Sequence, residues 1–151
     1  SADAYHVTSG PEDGSGAARS MLAALRQAQL QPQDIQHLNA HATSTPVGDK
    51  GELAAIRKVF GTGRGPSITA TKSALGHMLG AAGGAAAIFT VLALRDQIVP
   101  PVLNLENPDP LAEGLDMVRG QARPQAIEHA MLNGFGFGGV NATLILKRFA
   151  G

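Results

Sequence analysis

Apolar positions recur along the chain first at helical and then at strand spacing. From Gly16 to Gln29, Ala18, Met21, Leu22, Leu25 and Ala28 fall on one face while Arg19 and Arg26 point away, which predicts an amphipathic helix ended by Pro32. The alternating run IQHLNAH from Ile35 predicts a strand, and TSTPVGD after it a turn. Asp49 and Glu52 have capping-box spacing for a helix over Lys50–Phe60, with Leu53, Ile56, Val59 and Phe60 apolar. A loop at 61–65 and a short strand at Ser67–Ala70 lead into the longest apolar run, TKSALGHMLGAAGGAAAIFTVLAL.

That run carries no strongly polar residue from Met78 to Leu94, which predicts a buried central helix over about 74–95. It lies at the short end of the roughly 17–25 residues of a bilayer span. It is also rich in Ala and Gly, with Gly76, Gly80, Gly83 and Gly84 allowing close backbone approach, so packing inside a domain is expected and no membrane. Pro100, Pro101, Pro108 and Pro110 then hold an extended connection. Two last strands, Ile127–Asn133 and Val140–Lys147, flank a GFGFGG turn. Strands alternating with helices and ending in an adjacent pair make an α/β layer with a mixed sheet.

Length, 151 residues, fits one domain, and the opening on Ser1 without Met reads as the start of a cut chain. Twelve basic and twelve acidic residues balance, leaving no electrostatic footprint for nucleic acid or an anionic membrane. The absence of Cys excludes disulfides, thiolate metal sites and a cysteine nucleophile within the chain, and fits the cytoplasm.

Candidate chemistry gathers at three places. His77 is expected in the first turn of the apolar helix, where the dipole favours a neutral imidazole able to donate a hydrogen bond. By itself a satisfied core histidine is the simpler account. His41 ends a predicted strand and opens HATSTPVGD, placing Thr43, Ser44 and Thr45 beside an imidazole at a strand terminus, where α/β sheets bind ligands. Spacing alone explains these hydroxyls equally as turn formers. His37 and His41 lie four apart without the Glu of a zinc helix, so no metal site is expected. Gly134, Gly136 and Gly139 match a dinucleotide fingerprint by letter, but the following VNATLILKRF reads as strand, leaving a turn that presents Phe135 and Phe137 over a cavity. GTGRG at 61–65 lacks the Lys-Ser/Thr of a phosphate loop.

Taken in order, NAHATSTPVGDKGE, TKSALGHMLGAAG and NGFGFGGVNATL, supported by SADAYHVTS and LALRDQIVPPVLNLENPD, closely resemble the C-terminal half of the β-ketoacyl-[acyl carrier protein] synthases, most like type II. The resemblance implies a thiolase-like fold of αβαβα layers, with residues 1–151 as the C-terminal domain and the nucleophilic Cys in an absent N-terminal half. It implies decarboxylative condensation of a malonyl unit with an acyl thioester in fatty acid elongation. His41 and His77 match the two catalytic histidines, Lys72 the active-site lysine and Phe137 the gating phenylalanine. Thr43 and Thr45 match residues that bind phosphopantetheine, and Thr8, Phe135 and Gly138 extend that substrate path. Asp3 falls in a second moving loop. No cofactor is implied beyond the phosphopantetheine that the substrate carries. The family's structural monovalent cation would involve Asn39 and Asn133, but Ala86 stands where a Glu is usual. Ala42 replaces a usual Gly, and Val140 a Thr. Acyl carrier protein and a homodimeric complete enzyme are the implied partners. Polyketide assembly, a chain-length-factor-like subunit and an inactive fragment with an exposed apolar face are the alternatives.

Overall fold

The computed structural model describes residues 1–63 and 65–149, so Arg64 of the predicted 61–65 loop lies outside the described residues. The elements are α1 (Ser15–Ala28), β1 (His37–Asn39), α2 (Pro46–Phe60), β2 (Ser67–Thr69), α3 (Lys72–Leu75), α4 (Ala82–Asp96), β3 (Ile98–Val99), β4 (Arg123–Pro124), β5 (His129–Gly136) and β6 (Val140–Lys147). The main sheet has the order β2-β1-β5-β6, with β1 parallel to both neighbours and β5 antiparallel to β6. A second, two-stranded sheet pairs β3 with β4.

Period-two alternation sends successive residues of each strand into different layers. Leu38, Ile68 and Met131 join Met21 and Leu25 of α1 and Ala55, Ile56 and Val59 of α2 in one core. Ala130 joins Ala93 and Leu94 of α4 with Val99, Val118 and Ile127 in the other. The chain thus builds three layers: two helices, a mixed sheet, and α4. Gly14, at φ +67, starts α1 where a β-carbon would collide with the Gly51 carbonyl, so α1 and α2 meet at backbone distance.

The apolar run is not one helix from 74 to 95. It breaks into α3, a bend at Gly76 (φ 76), His77 and Met78, a 3₁₀ turn over Leu79–Ala81, and α4. Gly76 and Leu79 (φ 49) both adopt left-handed backbone, which a helix cannot contain. Nor is α4 buried all round. Ala86, Thr90, Ala93 and Leu94 are buried, whereas Ile88 (61%) and Val91 (50%) face outward. The sheet covers one side only, and no element among the described residues covers the other. By length and composition Leu79–Asp96 could cross a bilayer, and 22% of it is buried.

Three smaller expectations also shift. Helix α2 begins at Pro46 behind Thr45, so Asp49 lies in its first turn instead of capping it. The proline connection contains a 3₁₀ turn, Pro110–Ala112, with Pro at its first position where the missing N–H is harmless. Strand β5 continues through Gly136, which pairs with Val140, leaving only Phe137–Gly139 as the turn.

Candidate active site

β1, β2 and the parallel stretch of β5 send their carboxyl ends to the same edge, the usual ligand edge of such sheets. His41 lies two residues beyond β1, Lys72 three beyond β2, and Asn133 and Phe135 on β5. Together with His77, Thr8, Thr43, Thr45, Phe137 and Asp3 they line one cavity of about 750 Å³. The His41 and His77 ring centroids are 5.7 Å apart and edge-to-face, and Phe135 packs on His41 at 5.4 Å. The bend at Gly76, instead of a helix turn, is what carries His77 to this contact.

Burial and nearby charge act on the His41 imidazole. Burial, with Lys72 and His77 nearby, pushes His41 down to about 4, so it is neutral at physiological pH. Burial likewise lowers Lys72, against the opposing pull of Glu52 and Asp49. On His77 the Leu79 backbone N–H donates to Nδ1 at 3.3 Å. With Nδ1 accepting, the donor of this ring is Nε2–H, free to donate elsewhere. The Thr43 and Thr45 hydroxyls lie 3.2 Å apart. Thr8 sits at the exposed rim beside His6, and the Phe137 ring is 75% exposed at the mouth.

Glu52 is the residue that sequence reasoning missed. Assigned to a helix cap, it is buried in the middle of the site. Its Oε1 accepts from the His41 N–H (2.9 Å) and Asn133 Nδ2 (3.0 Å), and its Oε2 from the Ala42 N–H (2.7 Å). Burial pushes its carboxyl up, opposed by those donors. The signal was present, since Glu52 precedes Ala55, Ile56 and Val59 by three, four and seven residues and so shares their inward stripe.

Two expected site residues fall elsewhere. Gly138 does not line the cavity, because its N–H donates to the Val7 carbonyl at 2.7 Å. Asn39 and Asn133 are not brought together. Asn39 bonds α4 through the Ala86 carbonyl and Thr90, and Asn133 bonds Met21 and Glu52 in the opposite layer. Both amide oxygens already accept from Thr71 and Thr143. With a methyl at position 86, this donor set does not fit a cation. Asp3, expected in a moving loop, is clamped. Its carboxylate holds Arg19 (2.7 Å) and Asn141 (2.8 Å), and its N–H donates to the Gly139 carbonyl. Gly139, at φ +78, packs where any β-carbon would strike the Asp3 backbone.

Ala42, between His41 and Thr43, has φ 32, a conformation that disfavours a β-carbon. Replacing Ala42 with Gly should raise unfolding free energy by about 0.5–1 kcal/mol, after the extra entropy of the unfolded glycine is subtracted. A urea midpoint equal to or below the parent's would contradict the strain.

Comparison with known proteins places the chain in a family. Residues 1–106 match the family described as beta-ketoacyl synthase, C-terminal domain. The 3-oxoacyl-[acyl-carrier-protein] synthase 2 of Vibrio cholerae is 49% identical over 151 residues, covering 98% of this chain and 36% of the relative. A beta-ketoacyl synthase from Burkholderia phymatum superposes with a TM-score of 0.92 at 39% identity, covering 99% of this chain and 36% of that one. A type II polyketide ketosynthase, solved with its acyl carrier protein and bound to a hexaketide, superposes at 0.88 with 32% identity, covering 99% of this chain and 36% of that one. The chain therefore spans about a third (36%) of the length of the synthases it matches. Its sheet order and these matches together make it a member of the β-ketoacyl synthase family, corresponding to the C-terminal domain.

Proposed function

We propose that this chain supplies the decarboxylating half of a condensing site that elongates fatty acyl chains on acyl carrier protein. The observation that carries this is the His41–His77 pair, 5.7 Å apart in one cavity with Lys72. In malonyl-thioester decarboxylation the bond between the carboxylate carbon and the α-carbon breaks. Its electron pair passes to the α-carbon and the thioester oxygen. The His77 ring, whose Nδ1 accepts from the Leu79 N–H and whose Nε2–H is free, stands beside the neutral His41 and offers N–H donors for that oxygen, and preorganised donors are worth roughly 3–4 kcal/mol each. The carbanion then forms a C–C bond to an acyl thioester carbonyl and expels a thiolate. That thiolate belongs to a cysteine outside these 151 residues, since the chain contains none. Thr43, Thr45 and Thr8 line the path for the phosphopantetheine arm.

Acyl carrier protein is the partner, in keeping with the relative's name and with the carrier protein held by the polyketide ketosynthase. We assign the work to the cytoplasm, in a homodimer, away from membrane and nucleic acid, which suits the balanced charge of the chain. The greater identity to the fatty acid synthase than to the polyketide ketosynthase favours the elongation reading. Retention of both histidines speaks against a subunit that only shapes a partner's tunnel.

Grafting the chain in place of the matching third of the Vibrio cholerae synthase tests this. The graft should release CO2 from malonyl-[acyl carrier protein], and His41→Ala or His77→Ala should each slow release by about 10²–10³-fold. A folded graft without decarboxylation would refute the proposal.

A further inference from the structure

Beneath α4 the sheet buries a line of polar groups that the proposed chemistry does not use. Thr90 is wholly inaccessible (0%) on the inner face of α4, and its hydroxyl donates to the Ala86 carbonyl at 2.7 Å. With its only proton spent there, it can meet Asn39 solely as an acceptor. The Ala86 carbonyl is also an acceptor, and both lie 3.2 Å from Asn39 Nδ2. Only the amide NH₂ satisfies both, which fixes the orientation of Asn39 and turns Oδ1 toward the Thr71 hydroxyl at 3.3 Å. Thr71 immediately precedes Lys72.

The family likeness implies a buried cation at this junction. A cation requires converging oxygens, yet Asn39 presents a donor to α4, position 86 offers a methyl, and the Ala86 carbonyl already takes two hydrogen bonds. We propose that this chain dispenses with the cation and joins α4 to β1 by a hydrogen-bond relay, Thr71–Asn39–Thr90–Ala86 carbonyl, through which Asn39 positions the Lys72 segment. The relay rests on family membership and geometry, not on the condensation reading. Asn39 and Thr90 are positioning residues, since neither lines the cavity.

Thermal unfolding of the chelator-treated chain in sodium, potassium and choline chlorides of equal ionic strength tests the first half. A bound cation would raise Tm by mass action. The three midpoints should agree within about 1 °C, and a sodium- or potassium-specific rise of about 3 °C or more would overturn the proposal. Thr90→Val, which keeps shape and loses the hydroxyl, should lower Tm by several degrees, and Thr90→Ser should restore most of the loss. Equal midpoints for the Val variant and the parent would remove the relay. The Lys72 end is read by NMR titration of His41, whose midpoint Lys72 depresses. Thr71→Val should move that midpoint upward and Thr71→Ser should not. An unmoved midpoint in Thr71→Val would refute the positioning role.

Discussion

Replacing Glu52 with Ala should lower the unfolding free energy by about 3–5 kcal/mol, a large part of what a domain of this size possesses. The substitution removes the acceptor of three donors at once, the part-buried N–H groups of His41 and Ala42 and the buried Asn133 Nδ2, which keeps only its contact with Met21 Sδ. Each unsatisfied donor costs about 1–3 kcal/mol. Against this stands the relief of no longer burying a carboxylate, which is why the sum falls short of three full penalties. Glu52→Gln should cost about 1–3 kcal/mol, because one oxygen survives while an NH₂ replaces an acceptor among donors. Urea unfolding with an unchanged m-value measures both. A loss below about 1 kcal/mol for the Ala variant would mean that water reaches these donors and that Glu52 does not hold them.

Acid should destabilise the chain from about pH 6.5 downward, and His37 is one reason. It lies on β1, 1% exposed, with Nε2 2.9 Å from the Thr69 hydroxyl and Nδ1 without a partner. Burial pushes it down to about 4 from an ordinary 6.5. The unfolded chain therefore binds the proton more readily than the native one. Stability is complete above pH 6.5, falls as pH drops through the interval from 6.5 to about 4, and is fully lost for this group below it. The difference amounts to about 3 kcal/mol. His41, lowered in the same direction but half-exposed, adds less. Unfolding free energies of the parent and of His37→Leu, measured from pH 7 to pH 4.5, isolate the term. The variant's curve should be flatter, and parallel curves would rule out a neutral, protonation-averse His37.

Helix α1 and strand β6 were legible because each keeps one buried face at its own period, whereas β3 and β4 are two-residue strands with no period to read. The end of a predicted strand located His41 and the Thr43 that follows it, while Lys72 was singled out by the family resemblance alone. The apolar run from Met78 misled for a physical cause. Hydropathy reports that a residue avoids water, not whether another layer is present to cover it, so Ile88 and Val91 looked buried and are exposed. Backbone dihedrals were equally hidden. Leu79 at φ 49 breaks the helix without any change in letter pattern that periodicity detects. Glu52 was lost because its spacing from Asp49 satisfied a local rule while its membership of the inward stripe, a tertiary fact, outweighed it. The failure of Asn39 and Asn133 to meet follows from pleat alternation. Asn39 pairs with Leu132 on the neighbouring strand, so Asn133, one residue on, points to the opposite face.

The amide that fixes the His77 proton belongs to the main chain of Leu79. Every residue except proline carries that atom, so substitutions at position 79 can accumulate without erasing it, and only Leu79→Pro deletes the donor outright. The location of a proton at the site is thereby inherited through backbone shape. The side chain at position 79 is therefore not what sets which nitrogen of His77 can donate.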